Sequence, residues 1–582
     1  MATPESFPRS SFAPPEPSPD GGHLPTDEGP TEGDVDAVII GGGINGTGVA
    51  RDLALRGAKV VLYERNDLAF GASGNSSGMI HGGVRYLSKS PKVTREACQD
   101  SGYIQRIAPH LLFRIPFLMT VKAGAAGRVM LELVDAYFRA YDDFQPLKRG
   151  KPHTRLSADD MAALEPGLNA QVSGGVAFDE WGVDGARLCV LNALDAEGHG
   201  ARIFTHTSVE SIAKAPPAGA GAPLRYIVRA RDRLTGARRS HAARVVVNAT
   251  GAWGPITAAL GGVHSPKVRV RPGKGIHVVY DRRLSNYGVI SETIDGRQVF
   301  VYPWENASVL GTTDDDYFGD LDDVAATSEE VRYLVQAISR VLPSIRAARA
   351  IGTYAGVRPT LYEYGPNEDE LSREHAIVDH VADGAPGVYS MIGGKLASFR
   401  LFAEELSALV APLIAPGTRC TTHERPLPGG STVPDALGFA ERLSASPVAA
   451  RRLVFRHGIR TEQIAERIAR NPAESAVICP CEPILEAEVR HVIETEGART
   501  VDDVSRRTRL GLGACGGMRC AARCAALVGR AHELSPAESL AQARRFLVRQ
   551  ARSRVVALTP DQARQEALSL AHLKSSLGEE TP

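Results

Sequence analysis

Residues 35–64 constrain this chain more than any other stretch. Val35-Asp36-Ala37-Val38-Ile39-Ile40 is an apolar run suited to a strand buried on both faces. It leads straight into Gly41-Gly42-Gly43-Ile44-Asn45-Gly46, after which Val49, Ala50, Leu53 and Ala54 recur at helical spacing. A second apolar run, Ala58 to Tyr63, ends at Glu64, 23 residues after Gly41. This order of strand, glycine turn, helix, strand and acid predicts a βαβ unit. Its glycines let the backbone approach a pyrophosphate, the helix N-terminus favours the negative charge, and Glu64 stands where a ribose hydroxyl needs an acceptor.

The fingerprint alone does not separate a nicotinamide from a flavin nucleotide. The following segment does. Gly71 to Leu87 (GASGNSSGMIHGGVRYL) is a second Gly/Ser-rich loop where a nicotinamide domain would continue with another βα unit. A flavin site needs such extra backbone donors along an extended pyrophosphate. Val245-Val246-Val247-Asn248-Ala249-Thr250-Gly251-Ala252-Trp253 reads as a buried strand ending in a small-residue turn, suited to a further approach to FAD.

With these residues in view, Ile40–Gly57 (IGGGINGTGVARDLALRG) resembles the first motif of FAD-dependent glycerol-3-phosphate dehydrogenases, with Asp52, Arg56 and Gly57 in place. Gly393–Arg400 (GGKLASFR) resembles the second, with Phe399 where the family usually carries tyrosine. His81–Tyr86, Asp184–Leu188, Gly311–Asp314 and Gly356–Pro359 follow in the family's order, so the resemblance spans roughly residues 35–415. It implies an α/β fold: a Rossmann-type FAD-binding domain joined to a mixed or antiparallel, D-amino-acid-oxidase-like substrate domain. It also implies oxidation of sn-glycerol 3-phosphate, with electrons leaving to a quinone or partner subunit. The expected FAD contacts are Gly41, Gly42, Gly43, Ile44, Asn45, Gly46, Glu64 and Arg65 in the first unit. Ser73, Ser76, Ser77, His81 and Gly82 follow in the second loop, then Thr250, Gly251 and Gly394.

A phosphorylated polyol needs cations for its phosphate and a base near its C2 hydroxyl, and arginine suits phosphate because its fork bonds two oxygens at once. Arg85, Arg358, Arg373 and Lys395 are the candidate cations, with Tyr86 beside them and Arg358 and Lys395 also candidates for the chemistry. His277, in Gly273-Lys274-Gly275-Ile276-His277, is the candidate general base, on the expectation that its pKa lies near working pH. Residues 255–350 alternate like antiparallel strands and are expected to form the substrate sheet, with Tyr302 and Trp304 as packing residues.

Five of the eight cysteines fall between 479 and 524. Cys479-x-Cys481 and Cys515-x4-Cys520 form two tight pairs, and soft thiolates suit iron–sulfur or zinc. The C-x-C spacing counts against a zinc ribbon, which prefers two to four intervening residues. The pattern, continued through Arg506–Gly513, resembles the [2Fe–2S] domain of bacterioferritin-associated ferredoxin, found also at the end of the large flavin subunit of anaerobic glycerol-3-phosphate dehydrogenase. The resemblance implies that Cys479, Cys481, Cys515 and Cys520 ligate a [2Fe–2S] cluster, while Cys524 is expected to be a buried thiol.

The remaining composition narrows the class. Lys+Arg and Asp+Glu each total 67 in 582 residues, so net charge gives no pull toward nucleic acid or anionic lipid. Residues 1–34 hold eight prolines and scarcely any large apolar side chain, without the pattern of a signal or transit peptide. They are expected to be a disordered tail and the catalytic part cytoplasmic, with at most peripheral membrane contact. The expected division is 35–415 for the oxidoreductase, 416–474 for a helical linker, 475–530 for a small helical cluster domain and 531–582 for C-terminal helices. The rival readings are a flavin oxidase for an amine or another hydroxy acid, and a non-catalytic electron-transfer or docking protein.

Overall fold

The computed structural model describes residues 32–88, 90–169, 171–216, 223–262, 267–365 and 374–576. The expected tail lies almost wholly outside them.

The apolar run at the start becomes the strand Asp34–Ile40, at the heart of an eight-stranded sheet. It pairs in parallel with Val60–Tyr63 on one side and Arg238–Asn248 on the other, and Val388–Gly393 extends the parallel set. Ala37, Ile39, Val245 and Val247 face one layer of helices, while Val38, Ile40, Val61 and Val246 face the opposite core. Burial on both faces explains why the run shows no polar alternation. Helix Ile44–Leu55 follows the glycine turn and packs its Val49, Ala50 and Leu53 into the first of these cores with Phe402, Leu406 and Val410 of helix Phe399–Ile414. The fingerprint glycines are required by space. A Cβ on Gly46 would stand 1.9 Å from the Gly41 carbonyl oxygen, and Gly41, at φ +109°, lies against the backbone of Ala249.

A nine-stranded sheet forms the second layer, mostly antiparallel, with Gly288–Glu292 parallel to Leu112–Lys122. Toward one end of it the strand Val270–Tyr280 is flanked by Ala307–Gly311 and Ala350–Leu361. Of the expected span 255–350, the strands between residues 270 and 316 lie in this sheet, whereas Gly254–Ala259 and Ser328–Ile338 are helices. Leu112–Lys122 and Val172–Val183, which come before residue 255, lie in it too. Helix Ser328–Ile338, fixed at its start by a reciprocal Thr327–Glu330 capping pair, packs over a core of Ile276, Val278, Val301 and Leu310.

The C-terminal third is helical, apart from a short hairpin of Val477–Cys479 and Ile484–Leu485. Ile478, Val489, Val504, Val528, Phe546 and Leu547 share one core, so helix Pro536–Val555 packs in the same unit as the cysteine loops. Buried ion pairs tie this unit to helix Gly185–Gly198 and to the loop after Val60–Tyr63: Arg187 to Glu496, and Asp67 to Arg507 at 2.7 Å. Among the described residues no helix is long and apolar enough to cross a membrane.

Candidate active site

The two sheets meet around a cavity of about 890 Å³, at the upper end of ligand-site volumes. One end is the nucleotide side. Gly41, Gly43, Ile44, Asn45, Glu64 and Arg65 line it, joined by Ser73, Ser76, Ser77 and His81 of the second loop, and by Thr250, Gly251 and Gly394. Gly42, Gly46 and Gly82 stand behind this wall. A Cβ on Gly82 would meet the Tyr141 hydroxyl at 2.2 Å, and its N–H donates to Glu180, so its work is to anchor the loop.

Glu64 ends its strand with both carboxylate oxygens engaged. Oε2 accepts from the Gly42 N–H at 2.6 Å and Oε1 from the Asn66 N–H at 2.7 Å. It therefore shapes the glycine turn as well as facing the cavity, with lone pairs to spare for a hydroxyl donor. Burial pushes its carboxyl upward, offset by those N–H groups. Arg65 bonds Asp322 and lies 5.4 Å from the Trp253 ring, forming the outer rim. At the helix N-terminus, Ile44 N–H donates to Ser73 Oγ at 2.9 Å, while Asn45 Oδ1 is buried without a hydrogen-bond partner.

The other end is built from the substrate sheet. His277 is fully enclosed and stacks on Tyr354 with centroids 4.7 Å apart. Its Nε2 shares a 2.9 Å hydrogen bond with Ser77 Oγ, which joins the nucleotide loop to the sheet, and its Nδ1 has no partner. The neighbour Gly311 is required by this ring, since a Cβ there would lie 2.2 Å from His277 Cδ2. The expectation that His277 titrates near working pH is corrected here. Burial, and then the charge of Arg358, lower its pKa to about 3, so the imidazole is neutral in the resting enzyme.

Arg358 reaches across the same strand over Gly275, where a Cβ would stand 2.5 Å from Nη2. Nη1 donates to Asp314 Oδ1 at 3.0 Å and Nη2 to Thr312 Oγ1 at 3.1 Å. Lys395 approaches from the turn after Val388–Gly393, its Nζ 3.9 Å from the Tyr86 ring centroid. Tyr86, Arg358 and Lys395 all line the cavity with His277. Arg85 lies on the 3-10 turn Val84–Tyr86, but its side chain is outside what is described, as is the whole of Arg373. Asp314, Thr312 and Tyr354 join the site without having been singled out for it. Gly-Thr-Thr-Asp at 311–314 was the available signal; nothing near Tyr354 marks it.

A model of the FAD dependent oxidoreductase family matches residues 36–400, and one of the C-terminal domain of alpha-glycerophosphate oxidase matches 420–539. One of the polypeptides of the anaerobic glycerol-3-phosphate dehydrogenase of Escherichia coli (strain K12) is 31% identical over 88% of this chain and 91% of its own. Glycerol-3-phosphate dehydrogenase 1 of Mycobacterium bovis is 32% identical over 82% of this chain and 92% of its own. The chain belongs to the FAD-dependent glycerol-3-phosphate dehydrogenase family. The family's fold is the one seen here. The solved glycerol-3-phosphate dehydrogenase of Bacillus halodurans, complexed with FAD, superposes with a TM-score of 0.69 over 90% of this chain and 96% of that one, at 23% identity. FAD is the cofactor of a family member, and the residues present fit it. Gly41, Gly43 and the N-terminus of helix Ile44–Leu55 line the cavity, where backbone N–H groups suit a pyrophosphate, and Glu64 keeps lone pairs for a ribose hydroxyl.

The cysteines gather in the C-terminal unit in two pairs, near Trp304 of the nine-stranded sheet, over which Arg509 lies at 5.2 Å. Cys479 stands close enough to Cys520, and Cys481 to Cys515, for the thiols of each pair to act on one another. The Cys520 thiol and the N–H groups of Gly511 and Glu482 hold the Cys479 pKa down, toward the thiolate. Burial pushes the Cys524 thiol well up, in keeping with a buried neutral side chain. Cys520 forms the N-cap of helix Ala521–Ala531, and Arg523 bonds the Val477 carbonyl. His457, His491 and Glu496 also bring three ligand atoms within 4.8 Å of one another. Arg187 and Arg460 already hold Glu496, and two guanidinium groups there oppose a cation.

Proposed function

We propose that this chain oxidises sn-glycerol 3-phosphate to dihydroxyacetone phosphate, and that the electrons leave to a quinone or partner subunit through a [2Fe–2S] cluster. The observation that carries the reading is the Ser77–His277 contact of 2.9 Å beside Arg358, in one cavity with the nucleotide turn. The relatives named for this substrate agree with it.

Bound FAD would supply hydride acceptance at its isoalloxazine ring. The protein supplies the rest. Arg358 and Lys395 bring positive charge from separate segments, which suits a phosphate dianion. Asp314 and Thr312 hold the guanidinium in place before substrate arrives. His277, neutral because it is buried, can take the C2 hydroxyl proton at a ring nitrogen as the hydride leaves. Burial is the larger cause of that depression; phosphate beside Arg358 would offset only the smaller, Coulombic part of it.

For onward transfer, Cys479, Cys481, Cys515 and Cys520 would hold the cluster, whose use is one-electron carriage after a two-electron oxidation. The pairing two and two supports two irons over one zinc, around which four sulfurs would crowd to about 3.8 Å from one another. The test of the substrate assignment is steady-state turnover with glycerol 3-phosphate and an artificial dye, without NAD. Turnover is expected with this substrate and not with amines or unphosphorylated hydroxy acids; activity on an amine alone would replace the reading.

A further inference from the structure

Arg554 ends helix Pro536–Val555 and is only 1% exposed, yet Nε and Nη1 have no hydrogen-bond partner. Among the described residues its ion pair is from Nη2 to Glu566, at 3.1 Å. A guanidinium enclosed with two donors unused is costly unless an anion stands nearby. The neighbour it faces is the second cysteine loop. A Cβ on Gly516, the residue after Cys515, would lie 2.4 Å from Arg554 Nη1 and 3.3 Å from its Cζ, so the guanidinium lies against the bare backbone there. The thiols of Cys515 and Cys481 are near enough to act on its charge.

The approach is built by the whole helix. Phe546 fills the space above Gly511 and Gly517, where a Cβ would meet its ring at 2.5 and 2.6 Å. Thr353 Oγ1 donates to the Ser553 carbonyl, fastening the helix end to the strand that carries Arg358. These contacts fix Arg554 against the loop without offering its Nε and Nη1 any protein acceptor.

We infer that Arg554 is a positioning residue for the iron–sulfur site, a buried cation that offsets the charge of the thiolate-bound cluster and favours its one-electron-reduced form. The inference rests on the cluster reading above. Adding one electron adds one negative charge, and a fixed cation beside two ligand thiolates stabilises the added charge, so the site takes electrons from the flavin side more readily. Glu566 acts against this by sharing the guanidinium.

The test uses the full chain, purified anaerobically, with iron and sulfide assays and a redox titration followed by electron paramagnetic resonance. Arg554→Gln is expected to keep iron and sulfide while shifting the reduced-to-oxidised balance of the cluster at least tenfold toward oxidised, about 59 mV for one electron. Arg554→Lys is expected to restore most of the shift, and Glu566→Gln to move the midpoint the opposite way. An unchanged midpoint in the cluster-bearing Arg554→Gln enzyme would make Arg554 a packing residue and overturn the inference. If Arg554→Gln loses its cluster, Glu566→Gln decides: an upward shift upholds the inference and an unmoved midpoint overturns it. Wild-type protein lacking iron and sulfide would instead overturn the cluster reading, and this inference with it.

Discussion

An ordinary imidazole titrates near 6.5, and the sequence offers no reason for His277 to differ. Its depression to about 3 comes from two non-local facts, the closure of the nucleotide loop over it and the arrival of Arg358 from a strand some eighty residues on. The glycines around it were legible as motif letters, but their purpose, room for the His277 ring and the Arg358 guanidinium, appears only when three strands are side by side. Two variants separate the roles. Arg358→Ala removes a charge-assisted contact worth about 1.5–3 kcal/mol, so KM for glycerol 3-phosphate should rise roughly 10- to 150-fold with FAD retained. His277→Gln should instead slow flavin reduction by about 10²-fold or more with a smaller change in substrate affinity. Stopped-flow reduction across a substrate series reads both quantities. Wild-type affinity in the first variant would place the phosphate elsewhere.

Among the elements, the strand, glycine turn and helix at residues 34–55 could be read directly, because a βαβ unit is local and its periods sit in adjacent residues. The substrate sheet was legible only in its later strands. Leu112–Lys122 joins it by pairing with Gly288–Glu292, far along the chain, and no local pattern announces such a partner. Helix Pro536–Val555 similarly belongs to the core beneath the cysteine loops although it lies beyond the last cysteine, since amphipathic spacing shows that a face is buried but not against what. Spacing groups Cys479 with Cys481 and Cys515 with Cys520, whereas the structure sets Cys479 beside Cys520 and Cys481 beside Cys515, a cross-pairing that spacing does not announce. Cys481→Ser should therefore strip iron and sulfide from anaerobically purified enzyme while glycerol 3-phosphate still reduces the flavin. Zinc in stoichiometric amount, with no iron or sulfide in the wild type, would exclude the cluster.

Over the whole molecule, the flavin-side sheet and the C-terminal unit are joined through buried charge. Arg187 spans to Glu496; within the C-terminal helices His457 donates from Nε2 to Glu488 at 3.0 Å, and His110 and His491 lie in the same region. These long-range pairs left no trace in the sequence, where each partner is one charged residue among many. Their titration gives the molecule a direction in pH. Burial lowers His110 and His491 to about 3 and His457 to about 4, whereas the unfolded chain protonates histidine near 6.5. The stability they contribute is present above 6.5 and lost as pH falls toward 4, by up to about 2 kcal/mol for each residue at pH 5. The apparent melting temperature should accordingly be lower at pH 5 than at pH 7.5, and an equal or higher value at pH 5 would show that these histidines are not held neutral in solution. The central claim, that the cavity between the sheets places a phosphorylated polyol against bound flavin, is tested most directly by one spectrum. Anaerobic, FAD-loaded enzyme mixed with glycerol 3-phosphate and no NAD should lose its flavin absorbance; folded, FAD-loaded enzyme whose absorbance stays unbleached would contradict it.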